Sequence, residues 1–496
     1  MSVAERLSGL PPEKRALFEA LRRKQREGPA SKLAPPPVRP VSGPSGVGDW
    51  PLSYDQERLW RLHQDRPGLV SWNVDAGSQV RGTLDIPLFL AALRELIRRH
   101  AAWRTTFVTV DGRPVQRVHD FVEPATALID LSALPSAIRE ATGHRAIYDH
   151  TREPFNLERG PLLRVALVRL STEEGAEEHL YLVTIHHLVT DWITFQIFFA
   201  ELMEVYAALR HGRPSPLPPL PAQYPDFAVW EHEWLRGEVL AEEAAFWRRE
   251  LAGFPLVLDL PADRPRPPVQ SQRGGLCRMR VGLERTERLR ALARREGATM
   301  FMAVLAVLYA LLWRRTGREK LVVGSNSANR SRPELLPVAG FFLTQVPFAT
   351  DLSGDPSFRE LLGRARKTAI SAYAHQGFPF SRLIEALGVA EDPSRNPVVQ
   401  VLLLILEGES HGRAADLDLK PVGLYDGNSR WDLMFGLYDY HDVGLTGPLE
   451  YNADLFDAPR VERLVELFYR LIDAVTADPD LRLSQLPDCG EKAEAR

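Results

Sequence analysis

The stretch that most constrains this chain is Tyr181-Leu-Val-Thr-Ile-His-His-Leu-Val-Thr-Asp-Trp192, an apolar run closed by two adjacent histidines with an aspartate four residues after the second. Leu180 to Ile185 alternate in the period of a strand and are rich in β-formers, so neighbouring side chains point to opposite faces. Only one of His186 and His187 can then face a given cavity. From Trp192 the spacing turns helical, with Ile193, Ile197, Ala200 and Leu202 on one broad apolar side and Asp191 at the N-cap. The predicted unit is strand, tight loop, helix. Two histidines packed structurally at a strand end would give the same string, so the rest of the chain must decide whether it is a catalytic motif.

The 496 residues exceed one ordinary domain, and 45% hydrophobic with 25% charged residues is globular composition. Sixty-one basic against 65 acidic residues leave a formal charge of −4, without the positive field that nucleic-acid binding needs. Cys277 and Cys489 show no metal-ligand spacing and suit a reducing compartment. The segment Met1–Arg6 has no apolar signal core, and the longest apolar run, Met300 to Trp313, is too short for a bilayer and ends in Arg314-Arg315. A cytoplasmic protein with no membrane partner is expected. No phosphate loop, clustered metal ligands or serine or cysteine nucleophile elbow appears, so no bound metal or cofactor is expected.

Along the chain, residues 1–28 form a short basic amphipathic segment whose helix starts at Pro11-Pro12-Glu13; one short helix cannot bury that face alone, so it either packs on the main body, the safer reading, or serves as a docking element for a partner protein. Residues 29–49 are rich in proline and then glycine, read as an extended linker, with the folded body beginning near Trp50. Asp85 caps a helix whose Phe89, Leu93, Leu96 and Ile97 share one face. Strands are predicted at Thr105 to Val110, Leu162 to Leu170 and Leu180 to His187. After a proline-rich break at 212–225 come a helical region from Trp230 to Trp247, the apolar helix from Met300, and strands at Leu321 to Gly324 and Pro397 to Leu406. Two mixed α/β halves of similar size result.

Seven landmarks follow one another in a fixed order. They are Leu52-Ser-Tyr-Asp-Gln-Glu-Arg-Leu-Trp60, Arg99-His-Ala-Ala-Trp-Arg-Thr-Thr-Phe107, the His-His-x-x-x-Asp string, Tyr224-Pro-Asp-Phe-Ala-Val-Trp230, Gly340-Phe-Phe-Leu-Thr-Gln345, His375-Gln-Gly-Phe-Pro-Phe380 and Ser394-Arg-Asn-Pro-Val-Val-Gln-Val401. Together they resemble the condensation domains of nonribosomal peptide synthetases over about residues 50–480. The resemblance implies an α/β (α+β) fold of two chloramphenicol-acetyltransferase-like lobes in a V-shaped pseudo-dimer with a central tunnel. It places an N-terminal lobe at 50–225 and a C-terminal lobe at 226–488 that lends a latch and a crossover to the first.

It further implies an acyltransferase. A peptidyl or polyketide group would pass from a phosphopantetheine thioester on a carrier protein to an amine or hydroxyl acceptor, carrier-bound or free, forming an amide or ester. Phosphopantetheine would belong to the partners. His187 corresponds to the tunnel-facing histidine that accepts or orients the acceptor's proton, His186 to its buttress, and Asp191 to a structural carboxylate paired with Arg330. A neutral His187 is required, and a nearby helix N-terminus disfavours its charged form. Trp192, Thr344, Gln345, Ser394 and Asn396 are the tunnel and substrate candidates.

Departures from the family pattern are Trp192 where glycine is usual, Thr344 where asparagine is usual, and Gly377 where aspartate is common. A bulky residue after the aspartate resembles condensation domains that take polyketide donors; an indole simply packed into the first helical turn is the other reading. With no adenylation or carrier segment in the sequence, the chain reads as a free-standing monomer served by carriers in trans. The competing reading is a catalytically silent platform of the same shape that recruits partner proteins. An epimerising relative would differ in the later landmarks, and a heterocyclising one would replace the histidine pair by aspartates.

Overall fold

The computed structural model describes residues 35–43, 45–171, 177–408, 412–414, 416–423, 425 and 427–488. The first half runs β1 (Gly48–Pro51), α1 (Tyr54–Asp65), β2 (Asn73–Arg81), α2 (Ile86–Arg99), β3 (Thr105–Val110), β4 (Arg113–Val118), β5 (Ala125–Asp130), α3 (Ser136–Thr151), β6 (Leu163–Ser171), β7 (Glu178–His186), α4 (Trp192–Arg210) and α5 (Tyr224–Trp234). The second half continues with α6 (Gly237–Glu250), β8 (Gly274–Arg280), α7 (Leu283–Arg295), α8 (Met300–Thr316), β9 (Lys320–Ser327), β10 (Thr344–Asp351), α9 (Phe358–Ala374), α10 (Phe380–Leu387), β11 (Val401–Glu407), β12 (Gly412–Ala414), β13 (Leu417–Val422), β14 (Leu433–Tyr440), β15 (Gly444–Asn452) and α11 (Ala458–Ala477).

Two six-stranded mixed sheets carry the fold, one ordered β12-β13-β2-β7-β6-β5 and the other β10-β9-β11-β14-β15-β8, with β1-β4-β3 as a small third. The first sheet is completed by second-half residues, since β13 pairs antiparallel with β2 from Asp418 opposite Arg81 to Val422 opposite Gly77. The loan extends to the core: Leu335, Val338, Ala339, Phe341 and Phe342 pack among Phe89, Leu93, Trp103 and Phe198 of the first half. Across residue 225 the second half thus lends a strand and a core segment to the first.

Both faces of β7 are covered. Val183 and Ile185 face the core that holds α2 and α4, while Leu180 and Leu182 join Ala166 and Val168 on the side of α3. Helix α8 is apolar all round, and Met302 to Leu312 are essentially inaccessible, as a central helix packed against α7, α9 and α11 must be. Asp85 caps α2 by accepting from Leu88 N–H at 3.0 Å, and Phe89, Leu93, Leu96 and Ile97 are all buried.

Several expectations are corrected. On α4 the buried stripe is Phe195, Phe198, Leu202, Val205 and Tyr206, whereas Ile193 and Ile197 are half-buried and Ala200 is exposed. Thr194 fixes that rotation by bonding Gly340 across the interface. The helical region at Trp230 to Trp247 is two helices, broken at Leu235-Arg236. The strand expected at Pro397 starts only at Val401, because Val398 takes a left-handed backbone (φ 63°) and Val399 N–H folds back to Pro397 C=O in a tight turn.

Residues 35–43 and 45–49 are not a free linker ahead of a body that begins at Trp50. Glu334 accepts from Val38 N–H, Asp226 accepts from Val41 and Ser42 N–H, each at 2.8 Å, and Trp230 donates to Pro36 C=O at 2.9 Å. The prolines need no donors satisfied, and these remaining donors are met by carboxylates of the folded body. The helix expected within residues 1–28 lies outside the described residues.

Candidate active site

Strand β7 ends at His186, and His187 opens a single 3₁₀ turn, His187–Val189, so His187 is not the last strand residue. His187 N–H still donates to Trp72 C=O at 2.8 Å, in register with the β2–β7 ladder, and the strand stops there because Thr190 N–H folds back to His187 C=O and closes a turn. The loop is propped from α1: the first landmark forms a capping box between Ser53 and Gln56, and Gln56 Nε2 donates to Leu188 C=O at 2.8 Å.

The two imidazoles have opposite hydrogen-bonding roles. His187 Nδ1 lies 2.8 Å from Thr190 C=O, which can only accept, so Nδ1 carries the proton and Nε2 the lone pair. His186 Nδ1 accepts from Leu188 N–H at 3.2 Å, so its proton sits on Nε2, which is buried without a partner. His187 keeps 9% of its surface accessible and His186 none, so only the second histidine has an open side. Its ring meets Phe341 at 5.1 Å and Trp72 at 6.1 Å between centroids.

Burial pushes the His187 pKa down to about 4, helped by the nearby Arg430 guanidinium and opposed by the Thr190 hydrogen bond and the Asp191 charge. The expected neutrality therefore comes from burial and an arginine, not chiefly from a helix N-terminus. His186 is held well below the usual range by burial and then by the flanking His63.

Asp191 is the N-cap of α4, accepting from Thr194 N–H at 2.7 Å. It also accepts from Phe342 N–H at 3.1 Å and meets Arg330 Nη2 at 3.1 and 3.3 Å. Arg330 is otherwise spent on Leu335 C=O, Val338 C=O and Thr194 Oγ1, with its guanidinium 4.0 Å over the Phe342 ring. Both side chains are almost fully buried. This pair sews the second-half segment 330–342 to the histidine loop. The carboxylate is committed to that tie, which leaves the imidazole's Nδ1 to the Thr190 carbonyl.

The remaining candidates separate. Trp192 is 36% exposed and packs its indole on Tyr438 of β14, in the other sheet, at 5.9 Å. Thr344 is buried, and its Oγ1 accepts from Phe380 N–H at the start of α10, so it is a structural tie rather than a free substrate contact. Gln345 is half-buried on β10 opposite Asn326. Ser394 bonds Asp392 at 2.6 Å and Asn396 donates to Arg430 C=O at 2.5 Å, so both shape a loop. Gly377 stands near Trp234 with room for a Cβ. Sequence reasoning missed Thr190, Trp72, Phe341 and Arg430. Thr190 lay inside the motif and Phe341 inside the Gly340–Gln345 landmark, but Trp72 and Arg430 lie outside every landmark and no local pattern records their approach. Among the described residues no cluster of three His, Cys, Asp or Glu could hold a metal.

Over residues 47–494 the sequence matches the Condensation domain family. The chain belongs to the condensation-domain family. Its relatives are nonribosomal peptide synthetases: it is 39% identical over 468 residues to a linear gramicidin synthase of Brevibacillus parabrevis, covering 94% of this chain and 9% of that protein. It is 37% identical to phosphinothricin tripeptide synthetase PhsC of Streptomyces viridochromogenes, covering 97% of this chain and 44% of that protein. The chain thus spans less than half the length of these curated relatives. Among solved structures, the X-domain in its complex with OxyB from teicoplanin biosynthesis superposes with a TM-score of 0.82 at 30% identity, covering 92% of this chain and 99% of that one. SgcC5 from Streptomyces globisporus gives 0.74 at 25%, covering 87% and 100%. The condensation domain accordingly has the chloramphenicol-acetyltransferase-like α/β fold, in a family that forms amide bonds and works with carrier proteins bearing phosphopantetheine.

Proposed function

We propose that this condensation domain transfers an acyl group from a carrier-bound phosphopantetheine thioester to an amine or hydroxyl acceptor, with His187 Nε2 as the proton acceptor. The observation that carries the reading is the His187 geometry: Nδ1–H is tied to Thr190, the lone pair is on Nε2, and the ring is neutral and is the open member of the pair. The acceptor nitrogen or oxygen attacks the thioester carbonyl and forms the new C–N or C–O bond. Nε2 takes its proton, the C–S bond breaks, and the departing thiolate recovers that proton from the imidazolium. No acyl-enzyme is required, and holding two delivered ends together supplies much of the rate.

An ester product is supported by the SgcC5 structure, which contains a naphthyl-substituted ethanediol. A bulky, partly exposed residue at Trp192, where the family usually has glycine, supports a polyketide donor. The test is intact-mass detection of acyl transfer between candidate carriers and amine or alcohol acceptors. Transfer by wild type and its loss in His187→Ala is expected; transfer undiminished in His187→Ala refutes the assignment.

A second reading, a platform that recruits partner proteins, is favoured by the likeness to an X-domain solved with OxyB. The intact His186, His187 and Asp191 weigh against it. Tight binding of another biosynthetic enzyme by a wild type that turns over no carrier substrate would establish it instead.

A further inference from the structure

One side chain from the far half of the sequence reaches the histidine loop without belonging to any motif. Arg430 lies in the segment before β14, half-buried. Its own carbonyl is fixed by second-half side chains, accepting from Asn396 Nδ2 at 2.5 Å and Gln270 Nε2 at 3.1 Å. Its guanidinium crosses to the first half, where Nε donates to Ser71 C=O at 2.6 Å and the cation sits 4.7 Å over the Trp72 ring. Trp72 in turn supplies the carbonyl that holds His187 N–H at 2.8 Å. One arginine therefore grips the peptide segment on which the active histidine is seated, from an anchorage on the opposite half.

We propose that Arg430 is a positioning residue for acyl transfer: it clamps the Ser71–Trp72 segment beneath His187 and places a fixed positive charge beside the imidazole. The proposal rests on the acyl-transfer reading of His187.

The charges around His187 are few. From α4 comes Asp191, whose carboxylate is neutralised by Arg330; from β7 comes His186, itself flanked by His63 of α1 and Arg164 of β6; from the second half comes Arg430. With Asp191 neutralised, Arg430 is the strongest charge acting on the ring, and its sign opposes protonation. Docking of the second-half loop on Ser71 and Trp72 thereby adds to what burial does in keeping the base unprotonated, and holds the segment under it in place. Lysine would keep the charge but lose the planar stacking and the directed Nε bond.

The test uses the full chain with two readouts, the ¹³Cε1 chemical shift of His187 against pH, assigned with His187→Ala, and transfer kinetics with carrier-bound donor. In Arg430→Gln the His187 midpoint should rise by about one pH unit, a roughly tenfold shift in its protonation. The kcat should fall by about tenfold or more, with KM moving far less. Arg430→Lys should keep the midpoint near wild type while still losing rate. Asn396→Leu, which frees the anchoring carbonyl and leaves Arg430 in place, should give smaller changes in the same directions and serves if Arg430→Gln does not fold. An unmoved His187 midpoint or an unchanged kcat in the folded variants overturns the proposal. A wild type without turnover refutes the acyl-transfer reading and with it the role of Arg430, leaving the NMR shift to report only the contact.

Discussion

Replacing Asp191 by alanine should destabilise the domain by about 3–5 kcal/mol, and the structure shows why the loss is mainly that of a stranded cation. The carboxylate makes three kinds of contact: the α4 cap at Thr194, the Phe342 amide and the Arg330 guanidinium. Loss of a cap alone costs about 1 kcal/mol. The larger part arises because Arg330, equally buried, keeps its carbonyl and hydroxyl acceptors but has no counter-charge. Arg330→Met should cost less, about 3 kcal/mol, since the carboxylate left behind still accepts two backbone N–H bonds. The double variant removes both charges and should be more stable than additivity predicts by about 2 kcal/mol. Urea unfolding followed by both far-ultraviolet circular dichroism and tryptophan fluorescence measures this, provided the two transitions coincide. Strict additivity, or an Asp191→Ala variant within about 1 kcal/mol of wild type, would show that the pair is not the tie between the histidine loop and segment 330–342.

Three further expectations follow from single sites. His187 has a native midpoint near 4 against 6.5 when unfolded, so between those values the unfolded chain holds a proton that the native state lacks. This group alone should therefore raise stability with pH across that window by about 3 kcal/mol, a share of the slope that His187→Gln should subtract in urea titrations at about pH 4 to 7 while His186 and the other buried histidines keep theirs. Glu231 shows the converse: burial lifts its midpoint to about 8 while its carboxyl accepts from Tyr54 N–H at 2.8 Å. The native state then holds the extra proton, stability falls as pH rises from about 4.5 through 8, and Glu231→Gln should gain up to about 5 kcal/mol at about pH 9, read as a raised urea midpoint. Trp192→Gly should cost little more than the helix-propensity difference and the lost contact with Tyr438, about 1–2 kcal/mol, yet shift the kcat/KM ratio between branched and linear acyl donors by about tenfold or more; an unchanged ratio would leave the indole a packing residue.

What could be read from the chain was what is decided within a few residues. Asp85 and Asp191 cap their helices because an oxygen acceptor precedes an apolar helical run, and the 3.6-residue period of α2 needs only its own spacing. The period of α4 misled because so many positions are apolar that several stripes fit, and the choice among them was made by Thr194 bonding Gly340 far along the sequence. Pro397 to Gln400 misled in the same way, since an apolar run cannot announce that Val398 turns left-handed or that Val399 N–H folds back on Pro397. At the site itself the histidine pair and Asp191 stand together in sequence, and Arg330 could be named only through the family pattern. The neutral state of His187, however, depends on how deeply Trp72, Phe341 and Arg430 enclose it, and those residues lie on other elements. A motif therefore identifies which imidazole can act, whereas its protonation is a property of the closed interface. Variants that loosen the docking of segments 330–342 and 427–432 should consequently change the pH profile of the histidine before they unfold the strand that carries it.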